Sequence, residues 1–285
     1  MKILDAIWDG TLDTLKLIPF LFITYLVMEW VEHRTSDHTK TAIRKAGRLG
    51  PLVGGILGVI PQCGFSAAAA SLYAGKVITA GTLIAVFLST SDEMLPILLS
   101  ERAGIGFITK VLIVKALYGV IAGFLVDFLF RKLNERRIGV GIHGICTQEH
   151  CHCEKGIVRS AIKHTVSITF FILLISIVLN ILLAIVGTEN LSNLVLNQPV
   201  IGEVLAGLIG LIPNCAASVV IAQLYVEGAL GAGAMMAGLL VSAGVGLLVL
   251  FRTNRGLRQN LIVLAGLWAT GAFWGLIISA FGIVF

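Results

Sequence analysis

The chain contains one short motif twice, and this duplication limits the possible folds more than any other feature. Ile60-Pro61-Gln62-Cys63 in the first half is matched by Ile212-Pro213-Asn214-Cys215 in the second, at an offset of 152 residues, the difference between positions 61 and 213. Each copy places a proline, a carboxamide and a thiol inside an apolar run. A proline-interrupted apolar segment at corresponding positions of two halves is typical of the binding site of a membrane transporter.

The composition predicts a membrane protein. Hydrophobic residues make up 57% of the chain and charged residues 13%, whereas soluble domains carry about 25% charged residues. Several apolar runs reach about 20 residues, which is the length that crosses a bilayer. The net charge of +5 comes from loops beside these runs, so it predicts orientation in the membrane and not binding to nucleic acid.

The charges in the loops predict where the chain turns back. Apolar segments are expected at about 12–31, 50–74, 77–99, 105–130, 161–186, 200–226, 229–251 and 260–284. Clusters of Lys and Arg in the loops between them should be cytoplasmic, and these loops are 32–48, 131–160 and 252–259. Three segments separate the first two basic loops, so simple crossings would put those loops on opposite faces. The conflict disappears if 50–74 is a re-entrant hairpin with Pro61 near its tip, and the second half needs the same arrangement for 200–226.

The predicted fold is therefore an all-α polytopic membrane protein built from two inverted-topology repeats. Each repeat has three spanning helices and one re-entrant helical hairpin, and the two hairpins meet near the midplane. Repeat 1 covers 1–131, a cytoplasmic His/Cys-rich loop covers 132–159, and repeat 2 covers 160–285. Both termini then lie outside the cytoplasm. Eight full crossings are the alternative.

The hairpin tips carry the first candidate ligands. Proline interrupts a helix and frees carbonyl groups, a carboxamide both donates and accepts hydrogen bonds, and a thiolate is a soft metal ligand. A serine follows each tip by about one turn, where a helix is expected to begin. The candidate substrate-binding residues are Gln62, Cys63, Ser66, Asn214, Cys215 and Ser218. Close packing of small side chains is the alternative interpretation.

Two adjacent carboxylates, Asp92 and Glu93, complete the candidate substrate site. Carboxylates inside a span are costly and functional by default, and together with carboxamide and carbonyl oxygens they suit a divalent cation such as Mn²⁺. They also suit a proton relay. Pro96 is expected to weaken the helix there, and Lys115, in the middle of 105–130, is the expected counter-ion. The alternatives are a solvated helix end for the acidic pair and a lysine that extends to the membrane interface.

Three other polar features are interpreted more simply. Glu203, at the external mouth of the second hairpin, is expected to be solvated, with a ligand on the exit path as the alternative. Asp127 is expected to pair with Arg131 at the cytoplasmic end of its segment. The His/Cys-rich loop 132–159 is expected to bind metal weakly, through Cys146, His150, Cys151, His152 and Cys153. An inert linker is the alternative.

Three motifs carry a resemblance to a known family. Pro61–Ala68, Leu88–Pro96 and Ile212–Ser218 resemble the signatures of the ten-helix heavy-metal exporters, whose members are labelled arsenic efflux proteins or manganese transporters. The resemblance covers nearly the whole chain, and counting each hairpin as two helices also gives ten. It implies efflux across a bacterial plasma membrane, and it does not decide between manganese and arsenic.

Three classes of function remain open at the level of the sequence. The first is a secondary exporter of a metal or metalloid ion, with Mn²⁺ favoured and a trivalent arsenical held by the two thiols as a variant. The second is an anion carrier or channel that uses Lys115 and the helix N-termini of the hairpins. The third is a membrane scaffold or metal sensor that uses the His/Cys loop.

The motifs that the sequence lacks limit the possible source of energy for transport and the possible ligands. No P-loop motif occurs, so an ion gradient, the membrane potential or a separate partner must supply the energy, and a proton is the candidate counter-ion. No paired nucleophile and base occurs within the spans, so an enzyme is not expected. The expected ligand is the transported ion rather than a resident cofactor, the lipid bilayer is the surrounding partner, and an oligomer is compatible with the sequence.

Overall fold

The computed structural model describes most of the apolar chain. It covers positions 8, 11–12, 14–15, 18–19, 21–23, 25–26, 47–60, 63–91, 94–95, 98, 104–129, 157–186, 200–213, 215–226, 228–254 and 256–283. These residues include ten α-helices with described bounds and no strand, and the described positions at 8–26 and 94–98 are also helical. The helices are α1 Gly50–Gly58, α2 Cys63–Ala74, α3 Ala80–Ser89, α4 Ile105–Leu129, α5 Ile157–Val186, α6 Ile201–Gly210, α7 Cys215–Val226, α8 Ala232–Val241, α9 Val245–Thr253 and α10 Leu257–Ala280. The expected all-α architecture is confirmed.

Three stretches are long and apolar enough to cross a bilayer. They are Ile105–Leu129, Ala232–Thr253 and Leu257–Ala280. The first and last expose one apolar face, and on α4 this face includes Ile113 and Leu117. A contiguous exposed apolar surface of this kind is typical of a membrane-embedded protein. Most of Ala232–Thr253 is buried, so α8 and α9 lie inside the bundle.

The chain turns back between α1 and α3. Gly50, at the start of α1, lies against Thr82 near the start of α3, and Gly58, at the end of α1, lies against Ser89 at the end of α3. The two helices therefore run in the same direction. Because the chain must return from the end of α1 to the start of α3, α2 runs back between them. The segment formed by α1 and α2 therefore begins and ends at the same end of the bundle.

Close backbone contacts recur at the offset that relates the two motif copies. A Cβ atom on Gly81 would lie 2.1 Å from the Gly123 carbonyl oxygen, and one on Gly233 would lie 2.5 Å from the Gly275 carbonyl oxygen. Only glycine permits approaches this close. Three contacts among α1, α3 and α4 have counterparts among α6, α8 and α10, and the matched pairs are Gly58–Val86 with Gly210–Gly238, Gly81–Gly123 with Gly233–Gly275, and Gly119–Ala85 with Gly271–Ala237. The two groups of helices are thus packed as copies of each other.

The two groups interlock through the helices that follow the motifs. α2 packs along α9, which belongs to the second half of the chain, and α9 also contacts α5. The first apolar segment packs on α2, where the Tyr25 hydroxyl and the Ser71 hydroxyl lie 2.9 Å apart. α3 and α8 are buried along their lengths. The interior of the protein is therefore made of short helices and surrounded by the long helices α4 and α10.

The two buried helices end in the middle of apolar segments because of local side-chain and backbone chemistry. α3 ends where the hydroxyls of Ser89 and Thr90 donate to the carbonyls of Ala85 and Val86, bonds that compete with continuation of the helix. α8 ends before Gly244, whose φ of 51° is the left-handed region that glycine adopts readily. The first break was expected at Pro96. It occurs earlier, after Ser89, and Pro96 itself lies outside the described residues.

Candidate functional site

Lys115 lies at the centre of the candidate site. Its side chain is 1% exposed, so it does not extend to a membrane interface. The ammonium group donates to the Leu239 carbonyl at 2.7 Å and also to the Thr90 carbonyl. α3 ends at Ser89 and α8 at Val241, so these oxygens belong to helix ends whose carbonyls lack partners within the helix. The negative end of a helix dipole favours a nearby cation. The Lys115 ammonium is that cation for both α3 and α8.

A small polar cavity surrounds this ammonium. The cavity has a volume of ≈ 10 Å³, which is about enough to hold one water molecule. Hydroxyl groups from both halves of the chain line this cavity, and its lining residues are Thr90, Ser91, Met94, Lys115, Ser218, Leu239 and Ser242. Because hydroxyls both donate and accept, the lining can serve an ion or a water.

The break after α3 is tied to the first hairpin tip. The Ser91 hydroxyl donates to the Val59 carbonyl at 2.7 Å. Val59 follows the last residue of α1, and α2 begins four residues later at Cys63. The hydrogen bond thus holds the end of α1 beside the residues that follow α3.

The serines that follow the two tips occupy equivalent positions. Both helices begin at the motif cysteine, α2 at Cys63 and α7 at Cys215. Ser218, one turn into α7, lines the cavity together with Met94. Ser66, one turn into α2, is fully buried and lies against Gly246. Positions 94 and 246 differ by the repeat offset, so each serine faces the helix that follows the break in the other half.

Several predicted site residues lie outside the part of the chain that the structure describes. They are Gln62, Asp92, Glu93, Asn214 and the loop residues Cys146, His150, Cys151, His152 and Cys153. The side chains of Cys63 and Cys215 also lie outside it. Within the described part, no group of three or more His, Cys, Asp and Glu side chains could hold a metal ion. The roles of these residues stay predictions, and their described neighbours give the surroundings.

Glu203 was expected to be solvated, and this expectation is wrong. The side chain is 5% exposed, because α6 presents it to the region where α8 and α10 meet. Its Oε1 accepts a hydrogen bond from the Ser279 hydroxyl, and its Oε2 has no hydrogen-bond partner among the described residues. The sequence reasoning missed this buried carboxyl because Glu203 stands near the beginning of an apolar segment, where solvent is the usual neighbour.

Asp127 has a role at the end of its segment that was not predicted. One carboxylate oxygen accepts from the Gly81 N–H at 2.9 Å, and the other accepts from the Thr79 hydroxyl at 2.6 Å. These contacts cap the N-terminus of α3, where backbone N–H groups need acceptors. Arg131, the expected partner, lies outside the described residues.

The sequence reasoning also missed the second break in the buried helices. Ser242, at the end of α8, lines the cavity opposite Thr90, and the two positions differ by the repeat offset. The available signal was the run Ser242-Ala243-Gly244 at the positions that match Thr90-Ser91-Asp92. Polar and small residues at matched positions of both halves indicate matched breaks, even though the carboxylate is present in only one half.

The comparison with protein families gives one match. A family described as "Putative, 10TM heavy-metal exporter" matches residues 6–188. This range contains α1 to α5, and with them Lys115 and the sequence from Ser89 to Pro96. No curated protein and no solved structure gives a significant match.

Proposed function

The chain belongs to the family of 10TM heavy-metal exporters, and from this premise we propose that it exports a divalent cation such as Mn²⁺. The ion binds near the midplane, between the tips of the two hairpins, and crosses a bacterial plasma membrane. An ion gradient or the membrane potential drives the transport. The protein has no resident cofactor, since the metal is its cargo.

The convergence of four chain breaks at and beside one cavity carries this proposal. Ser91 bonds the break after α3 to the first hairpin tip, and Lys115 joins the ends of α3 and α8. Ser218 brings the helix that follows the second tip to the same cavity. Broken helices whose ends surround a buried polar site are the usual way in which secondary transporters bind ions.

The residues next to these described positions give the cargo site its chemistry. Gln62 and Asn214 supply carboxamide oxygens, Cys63 and Cys215 supply sulfur, and Asp92 and Glu93 supply negative charge. This set suits a hard or borderline divalent cation. The position of Ser91, directly before Asp92, supports an acidic pair at the cavity and not at a solvated helix end.

Lys115 serves as the counter-ion when the site is empty. A lysine at the centre of a span costs about 2.5–3.5 kcal/mol on insertion scales. Its hydrogen bonds to two carbonyls, each worth about 1.5–3 kcal/mol when the donor is charged, offset that cost. The ammonium thus occupies a place that attracts cations, and an arriving metal ion competes with it for the helix ends and the carboxylates.

Inverted repeats and re-entrant hairpins are part of the proposal. The parallel directions of α1 and α3 support a hairpin that enters and leaves on one face. α2 and α9 begin together, where Ser66 meets Gly246, and pack along each other, so α9 runs with α2 and against α3. Because Ala232–Thr253 forms one span, α8 also opposes its counterpart α3. This supports repeats at 1–131 and 160–285, joined by the cytoplasmic loop 132–159, with both termini outside.

Uptake of radioactive Mn²⁺ into inside-out membrane vesicles tests this function. We expect accumulation by the unmodified protein, and a loss of about tenfold or more, equivalent to about 1.4 kcal/mol, for both Asp92→Asn and Cys63→Ser. Thr109→Val is the matched control, because the Thr109 hydroxyl is on the exposed side of α4 and bonds only within its own helix at Ile105. Unchanged uptake in both Asp92→Asn and Cys63→Ser would show that the site is assigned wrongly.

Two other cargoes have specific support. Both motif thiols begin helices at the tips, so they suit a trivalent arsenical held between two sulfurs. The first turn of α7 reaches the cavity beside Lys115 through Ser218, and this combination suits an oxyanion. An arsenical predicts that Cys63→Ser and Cys215→Ser abolish transport while Asp92→Asn preserves it. An anion predicts that Lys115→Ala abolishes transport while Asp92→Asn preserves it.

A further inference from the structure

A buried carboxyl lies outside the cavity, at Glu203 on α6. Its Oε1 accepts from Ser279 near the end of α10, while its Oε2 is buried and has no hydrogen-bond partner in the described chain. A buried carboxylate oxygen without a partner is unfavourable, because burial removes the water that stabilises its charge. Such an oxygen has an open position for a small cation or a proton.

At the equivalent place in the first half of the chain, both oxygens of a carboxyl accept hydrogen bonds. Glu203 and Ser279 match Pro51 and Asp127 at the repeat offset, so each half has one carboxyl here, supplied by a different helix. Asp127 uses both oxygens to cap α3 through Gly81 and Thr79. The position that matches Thr79 is Gly231, which has no hydroxyl. The carboxyl of the second half therefore keeps one oxygen available.

No charged group on the neighbouring helices explains the buried carboxyl. α8 contains no titratable side chain, and the only charged residue of α10, Arg258, lies at its opposite end. α7 contributes Cys215 at its first residue and Tyr225, whose ring stacks on Phe107. The hydroxyl of Ser279 lies against Gly233, so the pair sits beside the first turn of α8.

The geometry points to Glu203 as the site where a proton binds and drives export, an inference that rests on the proposed function. Ser279 is exposed one residue before the end of α10, so a proton from water at that face has a short route to the carboxyl. The face is the external one in the proposed topology. The proton forms an O–H bond at Oε2 and is later released to the cytoplasm, while the metal ion moves out.

α8 connects the proton site to the ion cavity. Gly233 lies against Ser279 in its first turn, and the Leu239 carbonyl accepts from Lys115 near its last turn. The two positions are six residues apart, about 9 Å along the helix axis. Protonation removes a negative charge from the positive end of the α8 dipole, and the ion cavity lies at the negative end. Occupancy of one site therefore changes the affinity of the other, and the coupling is reciprocal.

The experiment uses the full-length protein in liposomes and compares Glu203→Gln with Asp127→Asn. Accumulation of Mn²⁺ driven by a pH gradient and exchange of Mn²⁺ for Mn²⁺ at equal pH are both measured. We expect Glu203→Gln to lose driven accumulation by about tenfold or more and to keep exchange within about twofold of the unmodified protein. We expect Asp127→Asn, which changes the matched carboxyl that caps α3, to keep both activities.

Infrared difference spectra on a pH change separate this inference from the proposed function, because they need no transport. We expect the carbonyl stretch of a protonated carboxyl in the unmodified protein and in Asp127→Asn, and its loss in Glu203→Gln. If no metal is transported and the band still depends on Glu203, the exporter proposal fails while the proton site stands. The inference is overturned if Glu203→Gln keeps driven accumulation, if it loses exchange while remaining folded, or if the band persists in it. Glu203→Asp, which keeps the carboxyl, must retain the band.

Discussion

The Ser91 hydroxyl connects the end of α1 to the break after α3. Ser91→Ala removes its bond to the Val59 carbonyl and leaves that oxygen without this donor. We expect the free energy of unfolding to fall by about 0.5–1.5 kcal/mol, and Mn²⁺ uptake to fall by more than that stability loss explains, because the ligands near the tip lose their fixed position. Chemical unfolding in detergent and vesicle uptake measure the two effects. An effect on stability without any effect on uptake would contradict a positioning role.

The buried ammonium of Lys115 has a matched control on the same helix. Lys115→Met keeps the length of the side chain but leaves the Thr90 and Leu239 carbonyls without their donor. An unsatisfied buried group costs about 1–3 kcal/mol, so we expect a clear fall in unfolding free energy together with loss of uptake. Lys110→Met, at an exposed position of α4, should change neither quantity. Equal behaviour of the two variants would remove Lys115 from the site.

At the scale of single residues, the sequence predicted some environments and not others. A lone lysine in the middle of an apolar run indicated the buried position of Lys115, since no interface lies within its reach. Glu203 was misjudged because it stands near a segment end, where a solvated carboxylate and a buried one have similar neighbours in the sequence. Its surroundings include Ser279, which belongs to another helix.

At the scale of elements, close packing of glycines fixes α3 against α4. A Cβ atom on Gly123 would lie 2.6 Å from the Gly81 carbonyl oxygen, whereas a Cβ atom on Gly106 of the same helix would meet nothing within 4 Å. We expect Gly123→Ala to lower the free energy of unfolding by about 1–3 kcal/mol through overpacking. Gly106→Ala should be neutral or slightly stabilising, because alanine favours the helix. Equal stabilities in detergent unfolding would contradict this packing.

Helix breaks were predictable only where proline marks them. Pro61 and Pro213 indicated the turns between α1 and α2 and between α6 and α7, since proline cannot continue a helix. The breaks after Ser89 and Val241 depend on hydroxyls that bond to carbonyls within their own helix and on the positive φ of Gly244. Serine, threonine and glycine also occur inside intact membrane helices, so only their recurrence at matched positions of both halves was a signal of these breaks.

At the scale of the whole molecule, the proposed topology places the loops 32–48 and 131–160 on one face. Introducing Ser36→Cys or Thr147→Cys into a cysteine-free variant tests this with a thiol reagent that does not cross membranes. We expect both positions to be labelled in inside-out vesicles and neither to be labelled in intact cells. Labelling of the two positions from opposite sides would support eight full crossings and contradict the hairpins.

The duplicated motif predicted the packing of the helices in the two halves better than the local sequence pattern did. The repeat offset, visible in the two motifs, reappears in the glycine contacts of α1, α3 and α4 and of α6, α8 and α10. The packing of α2 along α9 was not predictable, because the residues that meet there, such as Ser66 and Gly246, are far apart in the chain. Only the folded arrangement shows that residues of both halves line the cavity around Lys115.

Equilibrium binding of radioactive Mn²⁺ to the purified protein tests most directly whether the ion site lies where the broken helices converge. The unmodified protein is compared with Asp92→Asn and with a variant in which Cys146, Cys151 and Cys153 are all replaced by serine. The account predicts that Asp92→Asn weakens Mn²⁺ binding by about tenfold or more, equivalent to about 1.4 kcal/mol, and that the serine variant binds as the unmodified protein does. Binding that survives Asp92→Asn and disappears with the three cysteines would place the metal in the loop and contradict the account.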